Sequence, residues 1–113
     1  MMSKRIPHAD KASVDMRKLE DYCLSTTHPE GRHKARVFQS ALGLGVGDAL
    51  ALRTALLMAC HTHEAQTLRQ DNYGVRYQID FDMTHTGRRA RIRSVWIARP
   101  HDPAPRLVTC YIL

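Results

Sequence analysis

From Val75 to Met83 apolar and polar residues alternate without a break. Val75, Tyr77, Ile79, Phe81 and Met83 fall on one side, and Arg76, Gln78, Asp80, Asp82 and Thr84 on the other. A period of two over that length predicts a β-strand with one buried face. Thr86-Gly87 then predicts a hairpin into an arginine-rich strand, Arg88–Arg99, and Asp102-Pro103-Ala104-Pro105 a second turn into a last strand, Arg106–Leu113. A less regular strand is predicted over Glu64–Leu68, before the turn Asp71-Asn72-Tyr73-Gly74. The first half follows a different period. Met16, Leu19 and Cys23 repeat at helical spacing behind Asp15, a residue suited to capping a short helix. Pro29 suits the first position of a second helix, whose stripe is Val37, Phe38, Ala41 and Leu42 and whose stop is Gly43. Asp48 caps a third, Ala49 to about Cys60, apolar nearly all round and therefore the central core helix. The pattern predicts an α+β domain: three N-terminal helices packed on one face of a three- to four-stranded antiparallel sheet, its other face free. Residues 1–13 are polar and basic and are expected to form a flexible tail, with 14–113 as a single domain.

Charge changes this picture more than length does. The chain of 113 residues carries a formal net charge of +6, which favours a polyanion or an acidic protein as partner. Residues 64–113 hold eight arginines and no lysine, and arginine grips phosphate bidentately where lysine cannot. The three cysteines, Cys23, Cys60 and Cys110, form no CxxC pair and read as reduced core residues. With no apolar signal core at the start and no apolar run long enough to span a bilayer, the expected place is the cytoplasm, and no membrane partner is expected.

Two places concentrate chemistry. On the arginine strand, Arg91, Arg93 and Arg99 share one face, and Ala90, Ile92, Ser94, Trp96 and Ala98 the other; on the last strand Thr109 and Tyr111 share a face. Asp80 and Asp82, on the neighbouring strand, stand ready to neutralise those arginines. The second helix carries Arg32, His33, Lys34 and Arg36 in its first turns against Glu30 alone. Cations at the positive end of a helix are unfavourable, and make sense where an anion docks. His33 and Lys34 precede Val37 and Phe38 by one turn, which puts them at the rim of the helix–sheet interface; the bland alternative is a snorkelling Lys34 and a rim His33. His61-Thr62-His63-Glu64 lacks a third ligand at metal spacing, the remaining histidines, His28 among them, fall in loops or tails, and no metal or cofactor is expected. No Gly-rich phosphate loop, GxSxG or glycosidase carboxylate pair occurs. Metal-free RNA cleavage needs a base for the 2′-hydroxyl, an acid for the 5′-oxygen and cations for the phosphorane. The candidates are His33, Lys34, Arg93, Thr109 and Tyr111 for catalysis, with Arg32, Arg36, Arg91, Ser94 and Arg99 for RNA phosphate. Trp96 is assigned to the core.

The runs His28-Pro29-Glu30-Gly31-Arg32-His33-Lys34-Ala35-Arg36-Val37-Phe38, Ile92-Arg93-Ser94-Val95-Trp96-Ile97 and Pro105-Arg106-Leu107-Val108-Thr109-Cys110-Tyr111-Ile112-Leu113 resemble a family of small uncharacterised bacterial proteins, over nearly the whole chain from Val14. A looser likeness extends to the toxin ribonucleases of the barnase, EndoU, colicin and RelE group. That likeness implies N-terminal helices before a four-stranded antiparallel sheet, RNA cleavage without metal, and a partner antitoxin or immunity protein. The expectation is a cytoplasmic endoribonuclease, the toxin of a toxin–antitoxin pair. Its rivals are a non-catalytic nucleic-acid-binding module, whose binding would fall steeply with salt, and a basic domain that docks an acidic protein.

Overall fold

The computed structural model describes residues 4–113. Its sheet is a meander of four antiparallel strands, β1 (Gln66–Asp71), β2 (Gly74–His85), β3 (Arg88–Arg99) and β4 (Asp102–Ile112), in the order β1-β2-β3-β4. Alternation sets the buried face: Ile79, Phe81 and Met83 of β2, Ile92 and Trp96 of β3, and Leu107 and Cys110 of β4 all enter the core. The β2–β3 hairpin turns on Thr86 and Gly87, both at positive φ (49° and 79°), which glycine accepts freely and threonine only under constraint.

Two full-length helices cover that face. Helix α2 (Arg32–Leu42) lies over β3 and β4, and α3 (Ala49–Thr62) over β2. They meet the sheet through Phe38, Leu42, Leu52, Leu56 and Ala59. Gly43 ends α2 in the left-handed region at φ 66°, and the Leu44 N–H reaches back to the Phe38 carbonyl, closing the last turn.

Four expectations are corrected. The sheet has four strands, the first lying at Gln66–Asp71 rather than Glu64–Leu68. The first of the three expected helices is a single α-turn, α1 (Met16–Lys18), which widens at once into a π-helical segment, Leu19–Cys23. The Asp15 carboxylate does accept the Arg17 N–H there, and the wider turn lets Leu19, Cys23 and Leu24 all enter the core. Helix α2 starts at Arg32 and not at Pro29, because residues 28–31 form a turn of their own. Finally, the segment expected as a flexible tail packs on the domain from Lys4 onward; residues 1–3 lie outside the described residues. Ile6 is buried, the Ala65 N–H donates to the Lys4 carbonyl, and Ser13 bridges to Arg106 of β4. Helix α3 is also less enclosed than its composition suggests, with Leu50 and Met58 exposed. Among the described residues no single helix is long and apolar enough to cross a membrane.

Candidate active site

Strand β4 breaks register with β3 twice, once between Asp102 and Arg106 and again just after Leu107. Trp96 pairs with Leu107 and Val95 with Thr109, so Val108 is an extra residue in β4 with no partner. This bulge shifts the alternation by one: Leu107 and Cys110, three apart, both face the core, and Thr109 and Tyr111 turn away from it. Bulges re-aim side chains in this way, and here the side chains re-aimed are the two hydroxyls singled out in the sequence.

Lys34 meets them. Its Nζ donates to Thr109 Oγ1 at 3.2 Å and lies 5.1 Å from the centre of the Tyr22 ring and 5.4 Å from that of Tyr111. An ammonium between two aromatic faces is held by the rings' quadrupoles. Among the described residues no carboxylate forms an ion pair with it. A half-buried cation without a carboxylate partner keeps its field for a visiting anion. Nearby, the buried Cys110 thiol draws the Cys23 thiol below the ordinary thiol value, and Cys23 with burial holds Cys110 well above it.

The other sequence candidates divide. His33, exposed, lines one cleft with Lys34, Val37, Tyr111 and Ile112. Arg93 lies opposite Tyr111 in the sheet register and holds Asp80 through two hydrogen bonds of 3.0 Å. Asp80, with the Tyr111 phenol beside it, raises the guanidinium even above its usual range. Arg93 thus reaches the site already paired. Arg32 and Arg36 are exposed on α2. Arg91 binds Asp82 at 3.3 Å, and the Asp82 carboxyl sits below the ordinary range because Arg89, then Arg91, donate to it. Arg99 is at the far end of β3 with Arg76 and Arg106. The predicted arginine row is therefore not one free surface.

Ser94 lies elsewhere. It is wholly buried on the core face, where its hydroxyl donates to the Ile79 carbonyl at 2.8 Å and accepts from Trp96 Nε1 at 2.9 Å. Both hydrogen-bonding roles are spent, and no phosphate reaches it. Ser94→Ala should strand the Trp96 N–H and cost about 1–3 kcal/mol. We expect a lower urea midpoint with an unchanged slope and unaltered RNA handling by the folded variant. Unchanged stability with lost RNA binding would return Ser94 to the site.

Two side chains join the site without a signal read from the sequence. Tyr22 supplies the second ring around Lys34. His28 packs edge-on against Tyr22 at 4.7 Å, and its Nδ1 accepts the backbone N–H groups of Glu30 and Gly31, each at 3.0 Å. With Nδ1 an acceptor, the ring proton belongs on Nε2. His28 lines a second cleft of about 570 Å³ with Tyr22, Lys34 and Thr109. A ring nitrogen two and three residues ahead of the amides it caps works as an Asx-turn side chain does, and that spacing was the available clue.

Fold and site together define a two-layer α+β domain with a cationic centre at the sheet's β4 edge. The chain belongs to a domain family of unknown function, DUF6883, whose model matches residues 5–113. No curated protein matches it significantly. Among solved structures it is similar to a contact-dependent growth inhibition toxin–immunity protein complex from Klebsiella pneumoniae 342. The identity is 12% and the TM-score 0.69, over 93% of this chain and 96% of that one. At that identity the likeness is one of fold.

Proposed function

We propose that the chain is a metal-independent endoribonuclease, the toxin of a pair whose other member is an antitoxin or immunity protein. The observation that carries this reading is Lys34, clasped by Tyr22, Tyr111 and Thr109, with no ion-paired carboxylate among the described residues and with His33 in the same cleft. The fold likeness to a toxin–immunity complex supports it. Such a complex holds two proteins, and a net charge of +6 suits the one that meets RNA better than the one that shields it.

The chemistry follows from the residues. RNA brings its own nucleophile, so the protein need only position the phosphodiester, move protons and bind developing charge. His33 takes the 2′-hydroxyl proton, the 2′-oxygen attacks the adjacent phosphorus, and the bond to the 5′-oxygen breaks. Tyr111 supplies the proton to the departing oxygen. Lys34, held by Thr109, and Arg93 bind the non-bridging oxygens. The products are a 2′,3′-cyclic phosphate and a 5′-hydroxyl. Each group is worth roughly 10²–10⁴-fold.

The purified chain, incubated with total RNA in excess EDTA, should cut it and leave those two ends, and His33→Ala should slow cutting by about 10²-fold or more. Intact RNA after long incubation overturns the reading. If that RNA is bound with a steep salt dependence, the chain is a non-catalytic nucleic-acid module.

A further inference from the structure

We infer that the cleft between α2 and the end of β4 receives one unstacked nucleobase, which makes single-stranded RNA the substrate; the inference rests on the ribonuclease reading of the adjoining Lys34. The cleft encloses about 270 Å³, and its floor is Val37, Tyr111 and Ile112. Sites for drug-sized ligands run from about 300 to 1,000 Å³, so this one fits a single flat heterocycle rather than a peptide segment. Val37 is 44% exposed although it sits one turn from Lys34 and beside the core residue Phe38. It leaves an aliphatic wall facing open space.

Charge selects the occupant. His33 and Lys34 form the rim of this apolar slot, Arg32 and Arg36 stand exposed on the same helix, and among the described residues no carboxylate lines it. An apolar floor under a cationic rim matches a base joined to its phosphate. Lys34 is also the wall shared with the larger cleft of Tyr22, His28 and Thr109. A phosphodiester on that shared wall would leave one base on the Val37 side and pass the chain on along Lys18 in the other cleft, where Asp15 is already paired with Arg17 and Asp21 is the carboxylate the chain must skirt. The floor offers side-chain carbon and one aromatic ring, so the slot selects a flat apolar heterocycle rather than base identity. A duplex keeps its bases stacked, and taking one out costs several kilocalories before it can enter.

The test uses the full chain, labelled at the methyls of Val37 and Ile112, with three non-cleavable 2′-deoxy probes: a single-stranded trinucleotide, the same backbone without bases, and a duplex. The trinucleotide should shift both methyls and bind about 5- to 100-fold more tightly than either of the others. Equal affinity for the duplex, methyls that do not move, or no binding of the trinucleotide would overturn the slot. The two readings fail separately. Single-strand binding with shifted methyls and no cleavage of RNA leaves the slot and removes the enzyme. Cleavage of single and double strands at equal rates leaves the enzyme and removes the slot.

Discussion

Replacing Lys34 by methionine is expected to lower kcat/KM for RNA cleavage by about 10²–10³-fold, the cost of removing one preorganised donor from a developing oxyanion. The side chain's stem stays nearly the same length, so the walls built by Tyr22 and Tyr111 remain. What disappears is a positive charge that no carboxylate among the described residues pairs with and that Thr109 Oγ1 fixes at 3.2 Å. Stability should change little. A cation over aromatic rings contributes about 0.5–2 kcal/mol depending on exposure, and methionine makes favourable ring contacts of its own. Lys34→Arg keeps the charge, but a planar fork does not fit a cradle shaped for a point charge, and an intermediate loss is expected. Single-turnover rates paired with thermal melts separate these effects. Wild-type cleavage by Lys34→Met would move the active site elsewhere on the chain.

How much of this could be read in advance depended on whether the cause was local. The β2 strand was plain from Val75 to Met83 because one buried face imposes a period of two, and Thr86-Gly87 marked its turn. Lys34 could be placed at an interface rim because Phe38, one turn on, had to face the core. The Val108 bulge had no such signal, since it exists only in the pairing of β4 with β3. An unbroken alternation already put Thr109 and Tyr111 together; the bulge decides which face they share. The arginine row failed for the converse reason. Asp80 and Asp82 were visible as neighbours, yet that they hold Arg93 and Arg91 is a matter of cross-strand register. Ser94 was marked by the chemistry of its side chain while its place in the alternation, with Ile92 and Trp96, already assigned it to the core. The π-helical turn at Leu19–Cys23 leaves the same apolar spacing as a short α-helix, and only tertiary packing separates them.

Gly31→Ala is expected to reduce stability by about 1–3 kcal/mol, the usual cost of overpacking, and to reduce cleavage by about 10²-fold even where the variant is folded. The backbone conformation is not the reason: at φ −82° and ψ −20° any residue is at ease. The reason is contact. A Cβ on Gly31 would overlap the carbonyl oxygen of Tyr22 and come within 2.9 Å of its carbonyl carbon, backbone atoms that cannot swing aside. Gly31 is where the start of α2 touches the π-helical segment, and those two elements carry Lys34 and Tyr22. An added methyl must push them apart, widening the cradle whose other sides are Tyr111 and Thr109, and a displacement near 1 Å is enough for a loss of about 10² in rate. Gly47 provides the control. Nothing lies within 4 Å of a Cβ there, so Gly47→Ala should leave both stability and cleavage close to wild type, with any change in stability favourable and about 0.4–1 kcal/mol. If Gly31→Ala loses stability but cleaves normally below its melting temperature, the separation of Tyr22 from Lys34 is not what the reaction uses. The catalytic charge would then be positioned by β4 alone.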